Sequence, residues 1–580
     1  MVIAIPASAL ALWNEMPIRV PVPPGTYAVD IRPGASSEGY WSWSDYPYAV
    51  PLIEPYTVIV AEDLVFGNWS GPVTVEFQTP TGSYSRILLK VELWLESQIP
   101  GRPAVQYDRP LWIWINGAPA LIGTTVQRFN QTCFADVTHL YPLLVGGDTA
   151  TLTVALPNWV LPAWGLTGIF HVRVKLLYYP GPKPPGVPDA VIPLFDNSTA
   201  TPWKGLAVAR LTVKKPVTWQ LTYVPENTIR AYLLVYTEGA SYDEFWYYMI
   251  PPDRYVMFES DGRLFAFLQP YPYMYTGSLN PLLWRPVSGV RTHSFEPHLI
   301  DVTPLLPLLA GTHNLTLSVY NMLNYWYVFA ALLVYTDSAA FYVNYQLLDY
   351  NVTGPLRDVS QGQLGTGAAY YGVSSSMQLR ATSMITVYRF MGSYSYVVEG
   401  SMYNSIESMQ VYDEVWSNLT LTQLWNYAGG VVSVVPSWAS PMISYSWSEA
   451  WNASLNAIYG FIIEAEETGE YPVTGNFTLY TTINQTLDID RGEWPFTKST
   501  RTLYEAVDAT AYIKGTIMLI SPTAGIITGI TDTYGDTVRV TSSAEIGRYV
   551  GDFSFFRRIH AGNEWPQWWI YEDTIEETIG

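Results

Sequence analysis

Ala135-Asp-Val-Thr-His-Leu-Tyr-Pro-Leu-Leu144 returns 165 residues later as Ile300-Asp-Val-Thr-Pro-Leu-Leu-Pro-Leu-Leu309. Each copy is followed by a Leu/Val-rich run, at 151–156 and 315–319, and then by a longer one, at 170–179 and 328–335. These runs alternate β-branched or aromatic residues with polar ones and close on Gly, Pro, Asn or Asp, which is the pattern of half-buried strands. The same pattern fills 84–95 and 111–115, and long helical periodicity is nearly absent. The expectation is an all-β chain of two tandem jelly-roll β-sandwich domains followed by a β-rich C-terminal region.

Proline marks the joints. Pro180-Gly-Pro-Lys-Pro-Pro-Gly-Val-Pro188 is too proline-rich for a sheet interior and reads as an extended linker. A softer interruption, Asn351-Val-Thr-Gly-Pro355, lies between Asp349 and Asp358. The expected division is therefore an N-terminal arm (1–45), a first jelly roll (46–180), the linker (181–190), a second jelly roll (191–350) and a C-terminal region (351–580). Two similar domains side by side place a cleft at their junction, a frequent position for a ligand site.

Composition narrows the function. Of 580 residues, 14% are charged and 49% hydrophobic, with 50 acidic against 30 basic side chains. Ordinary soluble domains carry roughly 25% charged residues, so ionic groups are scarce here. A net charge of −20 argues against nucleic acid as a partner, because phosphate binding needs a basic face. The one cysteine, Cys133, forbids an intrachain disulfide and any multi-thiolate metal site. The six histidines lack the i, i+4 pairing of zinc hydrolases, and His293 and His298 with Glu296 are the nearest approach to a metal set. No apolar run reaches the roughly 18 residues of a membrane helix. The run 2–13 has no basic residue before Arg19 and reads as a strand or arm. Nine Asn-X-Ser/Thr sequons favour an extracellular or cell-surface protein that is itself N-glycosylated. Low charge suits an acidic medium as well as it suits an ordinary secreted β-rich chain.

Where charges are rare, acids beside aromatics stand out. Asp108 lies between Tyr107 and Arg109, and Asp243-Glu244 runs into Phe245-Trp246-Tyr247-Tyr248. Aromatic surroundings raise a carboxyl pKa and an adjacent arginine lowers it, so one acid of each kind could provide a proton donor and an ionised base. Trp112, Trp114, Trp246 and Trp284 are candidates for sugar-facing surfaces. Each of these residues taken alone is better read as a core aromatic or an ion pair.

Taken together, the strings resemble a family. Tyr107-Asp-Arg109, Leu111-Trp-Ile-Trp-Ile-Asn-Gly117, Ala135-Asp-Val-Thr138 and Thr167-Gly-Ile-Phe-His-Val-Arg173 resemble the first half of the A-type peptide:N-glycanases. Asp243-Glu-Phe-Trp-Tyr247, Pro270-Tyr-Pro-Tyr273, Leu283-Trp-Arg-Pro286 and Ile300-Asp-Val-Thr-Pro304 resemble the second half, in the right order. The resemblance implies two jelly rolls with the active site between them and an amidase that releases N-linked glycans, using no cofactor and no metal. It also implies Asp108 and Glu244 as catalytic residues, with Arg109, Asp243, Trp246, Trp284 and Arg285 at the sugar. The more distant F-type enzymes have a third acid that falls near Leu156-Pro-Asn-Trp159, where this chain has no carboxylate and Asn158 would take the place. N-glycopeptides or N-glycoproteins are the partners so implied. A non-enzymatic adhesin or glycan-binding glycoprotein is the alternative, and a glycoside hydrolase using the same two acids the next. Accessory binding or surface attachment remain open for 351–580, and the oligomeric state is not legible.

Overall fold

The structure is a computed structural model that describes residues 2–4, 53–102, 104–125, 131–184, 186–195, 206–213, 216–273, 289–364, 368–390, 392–413, 419–428, 434–436, 449–465, 472–491, 501–521, 524–546, 553–564 and 567–579. It is all-β. The first half holds two four-stranded antiparallel sheets. One runs Tyr56–Phe66, Gly168–Pro180, Tyr84–Ser97, Gln131–Asp136; the other runs Val73–Gln78, Thr149–Ala155, Pro110–Ile115, Ala118–Thr124. In Gly168–Pro180 the side chains of Phe170, Val172, Val174, Leu176 and Tyr178 are buried. His171, Arg173 and Lys175 between them are not, so the period of two in the sequence becomes one core-facing side.

The second half repeats the plan. Ala190–Pro193, Tyr325–Thr336, Thr228–Ala240 and His298–Asp301 form one sheet, with Ala209–Thr212 also on Tyr325–Thr336. Val217–Val224, Gly311–Val319, Val256–Ser260 and Arg263–Leu268 form the other.

The Asp-Val-Thr repeat is a stapled corner. Asp136 Oδ1 accepts from the Thr138 backbone N–H (2.9 Å), and Asp301 Oδ1 accepts from that of Thr303 (2.9 Å). The second carboxylate oxygens take Arg86 Nη2 (2.8 Å) and Arg230 Nη2 (3.2 Å). The threonine hydroxyls accept from the neighbouring strands, Thr138 from Ile87 N (3.0 Å) and Thr303 from Ala231 N (3.2 Å). A short acid that bonds the backbone two residues on ends a strand and starts a turn, which is why three residues recur where two halves share an architecture.

The halves meet over Pro110–Ile115 and Ala118–Thr124, whose residues past Pro110 are all buried. Trp112 packs on Tyr327 (4.8 Å between ring centres) and Phe329 (5.4 Å), and Trp114 Nε1 donates to Ala207 O (3.0 Å). Backbone bonds seal the contact, Thr124 N to Thr292 O (3.1 Å) and Phe295 N to Ile122 O (2.7 Å). Gly123 admits this approach, because a Cβ there would collide with the His293 carbonyl. Gly123→Ala should lower stability by about 3 kcal/mol, the usual scale for overpacking a closed interior. A denaturant midpoint equal to the parent's would contradict the closeness of this contact.

Among the described residues, eleven strands of the C-terminal region form one twelve-stranded sheet with Val2–Ala4. The first strand of that region, Ala340–Leu364, runs straight through Asp349–Asp358, so the interruption read there does not end a strand. Gly354-Pro355 is absorbed in a register shift between Thr353 and Leu356 on an edge strand, where the missing proline N–H costs no ladder bond. The inner face of this sheet, including Met377, Leu379, Ile385 and Val387, joins the core of the second half. Val2–Ala4 pairs with Ala524–Ile526; the rest of the N-terminal arm lies outside the described residues. The proline-rich linker is pinned where it is described, with Tyr335 Oη donating to Gly186 O (2.9 Å). No helix among the described residues is long and apolar enough to cross a membrane.

Candidate active site

Asp108 and Arg109 stand at the entry to the buried strand Pro110–Ile115. Arg109 is tied into the sheet by its backbone, N–H to Thr125 Oγ1 (2.9 Å) and C=O from Thr125 N (2.8 Å). Its guanidinium is aimed by Gln106, which is fully buried. Gln106 Oε1 accepts from Arg109 Nη2 (2.7 Å) and Tyr107 N (3.0 Å), while Nε2 donates to Trp159 O (2.8 Å) and Gly168 O (3.3 Å). Arg109 Nη1 donates to Asp108 O (3.3 Å), and Nε is buried with no hydrogen-bond partner among the described residues.

Glu244 comes from the other half. The strand Thr228–Ala240 ends in a tight turn, Ser241–Asp243, with Ser241 at φ 59° and Glu244 N donating to Ser241 O (3.1 Å). Gly239 allows the chain to fold back, since a Cβ there would collide with the Asp243 carbonyl.

The three charged groups act on one another. Burial pushes the Asp108 carboxyl up from its ordinary range, only partly offset by its own backbone N–H and by Arg109. Glu244 is exposed as a whole residue, but its carboxyl lies among protein atoms. Loss of hydration and then the Asp108 charge push it up to about 7, against the pull of Arg109. Burial lowers the Arg109 guanidinium, while Asp108, Tyr107 and Glu244 hold its charge in place. One acid from each half and one cation between them therefore share a single electrostatic site.

A third acid belongs here, and the sequence reading passed over it. Glu238 Oε2 accepts the Trp112 indole N–H at 2.6 Å, linking the halves beside the site. Burial pushes its carboxyl up to about 8, against the Trp112 bond and with a further push from Glu244. It sits inside a strand without a motif around it, and only the partner strand reveals it. The sign of its effect on folding follows directly. A carboxyl raised from 4.5 to about 8 on folding favours the native state fully below the unfolded value, and the benefit is lost as pH rises through about 8. Glu238→Gln should flatten the fall in unfolding free energy between pH 5 and 8 by up to about 4 kcal/mol. Identical pH slopes for parent and variant in denaturant titrations would refute the buried acid.

The aromatic surfaces differ from expectation. Trp112 and Trp114 are core residues, and Trp246 is buried against Trp326 (6.2 Å) and Tyr247 (5.8 Å), so none of the three offers a face to a sugar. The faces beside the site belong to Trp159 and Trp69. Trp159 lies 5.2 Å from the Arg109 guanidinium, and Trp69 lies 5.3 Å from Trp159 with much of its ring exposed. Asp243 is fully buried and spends its carboxylate on Arg254, Leu323 N and Asn324 N. Asn158 is also buried, its Nδ2 clamping Phe66 O (3.0 Å) and Gly168 O (3.0 Å). The Asp243 carboxylate is thus taken up by the protein's own backbone and an ion pair, as is the Nδ2 of Asn158 by backbone carbonyls, while Asn158 Oδ1 is buried with no hydrogen-bond partner among the described residues. Trp284 and Arg285 lie outside the described residues. Of the possible metal set, Glu296 pairs with Arg291 (2.8 Å) and His298 stacks on Tyr271 (3.9 Å).

A family model described as peptide N-acetyl-beta-D-glucosaminyl asparaginase amidase A matches residues 53–352, just over half of the chain and both paired-sheet halves. The chain belongs to that family. A peptide-N4-(N-acetyl-beta-glucosaminyl)asparagine amidase A of Prunus dulcis is 28% identical over 331 residues, covering 50% of this chain and 56% of the relative. The chain thus spans about half the length of the curated relative it matches. Among solved structures, recombinant peptide: N-glycanase F aligns at 12% identity and a TM-score of 0.36, over 49% of this chain and 97% of that one. PNGF-II aligns at 15% identity with the same TM-score, over 49% and 66%. Asp108, Arg109, Glu238 and Glu244 all fall within the segment that carries the family membership.

Proposed function

We propose that the chain hydrolyses the β-amide joining N-acetylglucosamine to asparagine in N-glycopeptides or N-glycoproteins. Family membership supports the reaction class, and the observation that carries the reading is the Asp108–Arg109–Glu244 set drawn from both halves. Ionised Asp108 takes a proton from water as the oxygen attacks the asparagine side-chain carbonyl carbon. Arg109, aimed by Gln106, holds Asp108 and stabilises the charge that develops on the oxygen. The C–N bond breaks, and the nitrogen leaves with the proton of Glu244, which is protonated below about 7. The products are aspartate and a glycosylamine, which loses ammonia in water to leave the free glycan.

Trp69 and Trp159 supply flat surfaces for the apolar faces of the sugars. An extracellular or cell-surface setting fits the sequons. Asn68, Asn314, Asn351, Asn476 and Asn484 are exposed, so a glycan on any of them would meet solvent. The test is incubation with a defined N-glycopeptide and mass analysis of both products. Free intact glycan with aspartate in place of asparagine supports the amidase. One sugar left on the peptide identifies a glycoside hydrolase, and bound but uncleaved glycopeptide identifies a binding protein.

A further inference from the structure

Arg357 lies on Ala340–Leu364, the first strand of the C-terminal sheet and outside the segment matched by the family model. Its Nε is 3.0 Å from Asp253 Oδ2, and its Nη2 donates to Tyr371 Oη (2.8 Å). Asp253 is fully buried, and the same oxygen accepts from Asn321 Nδ2 (3.0 Å). The next residue, Arg254, is equally buried and reaches Asp243 Oδ1 with Nε (3.1 Å) and Nη2 (3.0 Å). Asp243 Oδ2 receives the backbone N–H groups of Leu323 (2.9 Å) and Asn324 (2.6 Å). Asp243 immediately precedes Glu244.

The four groups are two cations and two anions in a closed set. Arg254 feels both carboxylates, and the charge of Arg357 works against its own. While Arg357 holds Asp253, Arg254 stays on Asp243 and the turn Ser241–Asp243 is pinned. Without Arg357, a fully buried carboxylate loses its counter-ion, and the nearest replacement is Arg254. Moving that guanidinium to Asp253 releases Asp243 and, with it, the backbone that carries Glu244.

We infer that Arg357 is a positioning residue for the amidase reaction, through which the C-terminal sheet holds Glu244 against Asp108 and Arg109. The inference rests on the proposed function for its kinetic part alone. Arg357→Gln should raise amide hydrogen exchange about tenfold over residues 239–247 while leaving Pro110–Ile115 unchanged. Glycan release should fall about tenfold in kcat with less change in KM. The groups that face Glu244 are Asp108, Arg109 and Glu238. As the turn loosens, Glu244 regains water, so the alkaline limb of the rate profile should move to lower pH. Arg357→Lys, which keeps the cation, should recover most of the rate.

Unchanged exchange over 239–247 overturns the inference. So does a uniform rise in exchange with an unmoved alkaline limb, which marks a merely structural role. If Arg357→Gln does not fold, the charge-neutral pair Arg357→Gln with Asp253→Asn should restore parental exchange, and failure to do so also overturns it. Localised exchange in a protein that releases no glycan would leave the positioning role intact and remove the proposed function instead.

Discussion

Asp108→Asn is expected to lower glycan release by about 10³-fold or more, because the general base is lost and with it the negative charge that acts on Arg109. Asparagine has nearly the shape of aspartate, and the surroundings of Asp108 are supplied by backbone bonds at Arg109 and Thr125 that the change leaves in place. The fold should therefore survive. Burial already disfavours the Asp108 charge, so the neutral variant is expected to match or slightly exceed the parent in unfolding midpoint. The decisive measurement is kcat on an N-glycopeptide beside a denaturant titration of the same preparation. A variant retaining more than about a tenth of the parental rate would remove Asp108 from the reaction.

Glu244→Gln should cost about 10²–10⁴-fold in the same assay, the usual contribution of a positioned proton donor. The pH dependence separates it from Asp108. In the parent, Asp108 must be ionised and Glu244 protonated. The rate should rise through a pH above the ordinary aspartate value and fall above about 7. One unit past that limb, release should be down by about tenfold. Glutamine cannot titrate, so the residual rate of Glu244→Gln should lack the limb near 7 and keep the acid one. A parental profile that stays flat from pH 6 to 9 would show that no proton leaves Glu244 in the rate-limiting step. The same raised carboxyl makes folding stability decline as pH rises toward 7, so the site is held together best in its proton-donating form.

Much of this protein was open to a reader of the sequence. Alternation with a period of two is local, and the runs read as strands at 84–95, 111–115, 151–156, 170–179, 315–319 and 328–335 each fall on a strand of the two halves. The Asp-Val-Thr repeat is local too, because a side chain bonding two residues ahead needs no distant partner, and it marked corresponding corners in both halves. Asp108, Arg109, Asp243 and Glu244 stood out since charge is scarce and the two acidic steps adjoin aromatic residues.

What escaped was non-local. Glu238 is an unremarked acid within a strand, and it becomes part of the site only because Trp112, 126 residues away, donates to it. Asp243 looks as available as Glu244 in the sequence, yet Arg254 and two backbone N–H groups consume it. Trp112, Trp114 and Trp246 match the surface tryptophans Trp69 and Trp159 in composition, and only packing sorts core from platform. The strand across Asp349–Asp358 continued because an edge strand tolerates Gly354-Pro355, and nothing in the local residues says which strand is the edge.

By itself, then, the sequence determined the element type, the twofold plan and the conspicuous charges. The tertiary structure decided which carboxyls lose water, which find counter-ions and which remain to act. Those outcomes depend on groups brought together from distant parts of the chain, and hydration lost at one carboxyl is a property of everything packed around it.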